Sequence, residues 1–153
     1  MNAISRSHMK TLSLIFRYGW AAPATLLGVA AIVAGYRRVR VRVVDGVVEA
    51  HGPAIAWGLR HLTLIEHGAA ALTLGHVVLG VDAASLEWTR AHERVHVRQY
   101  EAWGPLFLPA YVAFSMWARM RGRHFYFDNP FEVEAFTVAS SDTTSATQTA
   151  RHG

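Results

Sequence analysis

Cysteine is absent from the 153 residues, which excludes disulfide scaffolds, thiolate zinc sites and thiol nucleophiles together. Any metal must be held by His, Asp or Glu. Charge is scarce as well: charged residues make up 17%, against about a quarter in an ordinary soluble domain, so either the surface is poor in charge or part of the chain avoids water. No internal repeat is visible. The length suits one domain with a proper core, and 52% hydrophobic residues exclude disorder over most of it. What the chain has in excess is histidine, nine residues, the obvious ligand supply in a cysteine-free protein.

The net charge of +4 is uneven. Residues 1–60 carry eight Lys/Arg against Asp45 and Glu49, giving +6, while residues 61–153 carry seven against nine, giving −2. A basic front half suits an anionic membrane surface or a nucleic acid. Tyr18 to Tyr36 contains no charge, and a helix of that length nearly crosses a hydrocarbon core of roughly 30 Å. Its glycines, Pro23 and many alanines leave two readings open, a membrane anchor or a buried helix of a soluble fold. Arg37, Arg38, Arg40 and Arg42 follow at once where a signal peptide has its cleavage site, so export is not expected. The protein is expected on a membrane or in the cytoplasm.

Next, Arg and Val alternate from Arg38 to Val43, and Asp45-Gly46 supplies a two-residue turn, which predicts a β-hairpin. The arginines read as the solvated face of a half-buried strand; no aromatic residues are interleaved for base stacking, so a nucleic-acid partner is not expected. Leu72–Leu79 predicts a strand ended by Gly80 and Asp82. A helix follows over Ala83–Trp103, capped by Asp82 and stopped by Gly104-Pro105. Ala102–Ala118, interrupted by Pro105 and Pro109, predicts a kinked core helix or an interfacial segment. Residues 140–153 lack large apolar side chains and predict a disordered tail. Together these give an α+β fold in which a small antiparallel sheet packs on two helices. The division is an apolar N-terminal helix over 1–36, a domain over 37–139, and the tail.

The predicted helix contains His92-Glu93-Arg94-Val95-His96. Positions i and i+4 share a helix face, so both imidazoles can reach one ion at about 2.0–2.1 Å, with Glu93 beside them to hold a water. Glu87, Arg90, Arg94, Arg98 and Glu101 fall on another face, leaving His92, Val95, His96, Gln99 and Trp103 on the more apolar side. A catalytic zinc takes three protein ligands and keeps one position open. Glu132, in a helix predicted to start with Asn129 as cap and Pro130 at its first position, is the favoured third ligand. Glu134 and His124 follow as alternatives, and Glu132 also suits a capping-box role beside Asn129.

HERVHVRQYE, followed by NPFEVEAF some thirty residues later, resembles the gluzincin group of zinc metallopeptidases, particularly small single-domain bacterial members and membrane CAAX-processing enzymes. The resemblance covers His92 to Phe136. It implies that Glu132, as the first residue of an E-x-x-A-D pattern, is the third Zn²⁺ ligand and that a peptide or protein is the substrate. Phe136 departs from it, standing where the family has an Asp that braces a ligand histidine; Asp128, Glu134 and Glu101 are the candidates to replace it. On this reading zinc lowers the pKa of water towards ~7, Glu93 takes the proton and passes it to the leaving amine, and Tyr126 or His124 supplies an oxyanion donor. The Leu72–Leu79 strand would align an extended peptide and bring His76 near the cleft. The competing reading, from another class, is a non-catalytic membrane-associated protein with a structural zinc.

Overall fold

The computed structural model describes residues 3–63 and 68–151, with side chains described over 17–63 and 68–141. Its spine is the helix Ala83–Trp103 (α3), with the ends the sequence predicts. Asp82 Oδ1 accepts from the Ser85 amide at 2.7 Å, filling one of the orphan donors of the first turn. Gly104 ends the helix with φ 55°, and a Cβ there would meet the Trp20 indole at 2.4 Å. Both the left-handed backbone and the close approach require glycine.

The expected hairpin forms from Arg40–Val44 (β1) and Val47–His51 (β2), paired antiparallel. Asp45 and Gly46 both have positive φ, 47° and 78°, the backbone a two-residue turn needs to match strand twist. The second strand expected, Leu72–Leu79, is instead two: Ala71–Leu74 (β3) and Val77–Gly80 (β4), antiparallel and joined through Gly75 at φ 62°. A glycine inside an apolar alternating run is the point where the chain can reverse, and the β-favouring residues on both sides then pair with each other. β4 also pairs parallel with β2, so the sheet is mixed, in the order β1-β2-β4-β3. The crossover from β2 runs through the helix Pro53–His61 (α2).

Side chains of β4 alternate between the two faces. Val77 and Leu79 pack with Ile55 and Leu59 of α2 and with Ala31 and Ile32 of the helix Ala3–Ala34 (α1), whereas Val78 packs with Leu86 and Val97 of α3. The sheet is thus covered on one face by α1 and α2 and on the other by α3. On the α3 face Glu49 is buried, accepting from Arg42 at 2.8 Å and from Arg90 at 2.9 Å. Burial pushes its carboxyl up, but the two guanidiniums outweigh that and hold it below the usual range. Arg42, central to the alternating strand, is therefore spent on Glu49 and Glu87.

Among the described residues no helix is long and apolar enough to cross a membrane. The Tyr18–Tyr36 stretch lies mostly in α1, which buries Ala21, Ala24 and Gly28 and leaves Leu26, Leu27 and Val33 exposed. After α3 a short turn leads into the helix Phe107–Met120 (α4), and Pro130–Arg151 forms the last helix (α5). Its backbone stays helical to Arg151, where a disordered tail from 140 is expected from composition; once a capped helix is nucleated, adding residues costs little even for weak helix formers.

Candidate metal centre

His92 and His96 project from one face of α3, and α5 brings Glu132 to them. The start of α5 is fixed by Asn129, which is fully buried. Its Oδ1 accepts from the Phe131 amide at 3.0 Å as a helix cap, while its Nδ2 donates to the Tyr111 carbonyl at 3.0 Å and to Ser115 Oγ at 2.8 Å on α4. Phe131 then seats among Phe107, Tyr111 and Phe114. With the cap tied down and Phe131 buried, the next side chain, Glu132, turns to the histidines rather than back to the cap. The Asn129 amide goes to the Tyr126 carbonyl instead.

Three side chains converge, each offering one ligand atom, and these atoms lie within 4.8 Å of one another. His92 Nε2 lies 3.1 Å from His96 Nε2 and 3.1 Å from Glu132 Oε2, and His96 Nε2 lies 3.4 Å from the other carboxylate oxygen, Oε1. Bonds of about 2.0–2.1 Å to a tetrahedral ion place ligand atoms about 3.3–3.4 Å apart, so this spacing suits one small cation. Glu132 Oε2 is buried without a hydrogen bond among the described residues, an orphan acceptor that a cation would satisfy. The histidines and the carboxylate pair electrostatically. Burial pushes Glu132 up, but the adjacent His92 and His96 imidazoles and the Tyr111 hydroxyl outweigh it and hold the carboxyl at about 2. Burial likewise pushes His96 down, and Glu132 and Glu93 more than reverse this. The three residues could hold a metal ion.

His96 is braced from within α3. Gln99 Oε1 lies 2.8 Å from His96 Nδ1, and Gln99 Nε2 lies 3.1 Å from the Phe131 carbonyl and 2.9 Å from Glu134 Oε2. A carbonyl and a carboxylate can only accept, so the amide NH₂ must face them and the oxygen must face His96. His96 therefore carries a proton on Nδ1 and presents Nε2 to the cluster. Glu134 acts as the far end of this brace. Phe136 instead packs its ring 4.6 Å from that of His92, and His92 Nδ1 has no hydrogen bond among the described residues. Gln99→Ala is expected to weaken metal binding by roughly 10–100-fold with all three ligands intact, read by zinc titration against a chromogenic chelator.

The other candidates are placed as follows. Glu93 is buried, with its Oε2 accepting from Thr73 Oγ1 of β3 at 2.6 Å. Tyr126 is half-buried and lines the cleft beside Glu93. His124 is exposed, its Nδ1 accepting from the amides of Tyr126 and Phe127, and Asp128 caps the same turn through the His124 amide. Glu101 pairs with Arg17 and, at 3.1 Å, with His76, which is buried in the β3–β4 turn and stacked on Tyr18, away from the cleft. Trp103, expected on the inward face, is largely exposed. Tyr111 was not indicated by any sequence signal: its hydroxyl donates to Glu132 Oε1 at 2.7 Å. Burial pushes both Tyr111 and Tyr126 well above the ordinary phenol range, so each remains a neutral donor.

The cluster lies where two clefts meet. One, of about 720 Å³, runs between β3 and α4 and is lined by Leu72, Thr73, Leu108, Val112, Met116 and others. The other, of about 440 Å³, extends past Ala71, Trp88 and Phe136. His92, Glu93 and Tyr126 line both. Compared with models of protein families, the chain matches none; nor does any curated protein or solved structure match it.

Proposed function

We propose that the chain is a zinc-dependent hydrolase of peptide bonds, with His92, His96 and Glu132 as ligands and Glu93 as general base. The observation that carries this reading is the convergence of two imidazole nitrogens and the Glu132 carboxylate, with contacts of 3.1–3.4 Å, and a second carboxylate next to them at the junction of two clefts. A nitrogen-and-oxygen donor set of this kind suits zinc. When bound, the ion would supply Lewis-acid chemistry, acidifying water and polarising a carbonyl.

The chain's own groups account for the rest. Glu93, oriented by Thr73, accepts the proton of the attacking water and returns it to the leaving amine nitrogen. Tyr126 donates to the oxygen that gains charge as the amide is attacked, a role for which it must stay protonated. Tyr111 holds Glu132 in place, and Gln99 holds His96. Among the described residues β3 pairs only with β4, so its outer edge, with Ala71, Leu72 and Thr73 lining the clefts, is free to align an extended peptide by strand addition. Two clefts flanking Glu93 leave room on both sides of the bond cut.

Glu132→Gln is expected to lower zinc affinity more than tenfold, because a neutral amide replaces a charged ligand, and to lose cleavage of a degenerate peptide library read by mass spectrometry. Unchanged zinc affinity in this variant would remove Glu132 from the ligand set. A structural zinc in a non-catalytic protein is favoured by the unbraced His92 Nδ1; there, stripping the metal would lower the melting temperature while the wild type cleaves nothing.

A further inference from the structure

Helix α4 turns only one stripe to the core. Phe107, Tyr111, Ser115 and Ala118 fall on one stripe turned inward, and nearly all the remaining circumference is apolar and open to solvent. Met116 is 61% exposed, Trp117 42% and Met120 81%, with Leu106 and Leu108 exposed at the start. Single exposed hydrophobics are ordinary, whereas a continuous face of this kind marks an interaction surface. The charge beside it has one sign. Arg119, Arg121 and Arg123 close the helix, no acidic residue stands between Glu101 and Asp128, and none of the three arginines has an acidic partner among the described residues. The Arg121 guanidinium lies over the Trp117 ring at 4.4 Å, placing an indole beside the basic cluster.

We infer that α4 docks on an anionic lipid surface, its Met116–Trp117–Met120 face in the headgroup boundary and its arginines among the anionic headgroups. The helix has 14 residues, about 21 Å, too short to cross a hydrocarbon core of roughly 30 Å, so it lies on the membrane. A face rich in Met and Trp that ends in arginines is suited to that boundary. A second copy of this chain fits worse, since each copy carries +4 and would bring arginines against a basic partner. This differs from anchoring through Tyr18–Tyr36, because α1 buries its Ala21–Gly28 stripe in the fold. Leu108, Met116, Arg119 and Met120 also line the larger cleft, so lipid docked on this face lies beside the mouth of that cleft.

The test is co-sedimentation of the full chain with vesicles of about three parts phosphatidylcholine to one of phosphatidylglycerol, against phosphatidylcholine alone. Binding is expected only to the anionic vesicles. It should weaken with salt and fall about fivefold for each of Arg119→Gln, Arg121→Gln and Arg123→Gln. Because the chain has no cysteine, Met116→Cys and Leu27→Cys can each carry a single polarity-sensitive dye at positions of similar exposure, 61% and 58%. The dye at Met116 should move into lipid and the dye at Leu27 should stay in water. No binding to the anionic vesicles would overturn the inference. So would entry of the Leu27 dye alone, or burial of the Met116 dye by raising protein concentration without lipid, which would assign the face to self-association.

Discussion

Glu93→Gln is expected to keep its zinc while peptide hydrolysis falls by roughly 10²–10⁴-fold, the range that a positioned general base contributes. The substitution keeps shape and volume, and the amide oxygen it introduces can still accept from Thr73 Oγ1, which lies 2.6 Å from the Glu93 carboxylate. None of the three ligand atoms belongs to this residue, so affinity should stay within a few-fold of the wild type. What is lost is the group proposed to take a proton from the attacking water. Metal titration and peptide cleavage measured on one preparation separate the two effects. Wild-type turnover in Glu93→Gln would end the general-base assignment while leaving the metal site standing.

His96→Ala should be still more damaging to the site. Binding free energies of about 10–16 kcal/mol, spread over three or four ligands, imply a loss on the order of 10²–10⁴-fold for each ligand removed. Here the removed ring also leaves Gln99 Oε1 without its partner at 2.8 Å and takes a neighbour from Glu132, which is buried. His92→Ala removes an equal ligand but no brace, since His92 Nδ1 makes no hydrogen bond among the described residues. Both variants should therefore release zinc to a chelator that the wild type resists, and His96→Ala should also melt at the lower temperature as apoprotein. Equal melting temperatures would show that the Gln99 brace contributes nothing to stability.

What could be read from the sequence follows from how local each signal is. Helix α3 was legible to the residue, because Asp82 caps it and Gly104-Pro105 stops it, both through the backbone of their own neighbours. The i and i+4 spacing then placed His92 and His96 on one face without any tertiary knowledge. The hairpin at Asp45-Gly46 was equally local. Gly75 was the ambiguous case: an apolar alternating run predicts a strand, and only the competing positive-φ preference of one glycine splits it into β3 and β4. The parallel pairing of β2 with β4 has no local mark, since it depends on the α2 crossover.

The support around the site was less legible for the same reason. Gln99 carries a helical-spacing signal, three residues after His96, but its role depends on Phe131 and Glu134 arriving from α5 more than thirty positions away. Tyr111 reaches Glu132 from α4, and Thr73 reaches Glu93 from β3. Neither spacing nor composition could indicate either, because both contacts are made by packing of separate elements. That Gln99 orients His96 through an amide held between two acceptors was not visible in the sequence.

The most direct test is metal content. Protein purified without added zinc, dialysed against metal-free buffer and measured by plasma emission spectrometry should carry about one zinc per chain, and Glu132→Gln and His96→Ala purified alongside should carry much less. A wild-type value near zero that zinc titration cannot raise would contradict a metal centre at His92, His96 and Glu132.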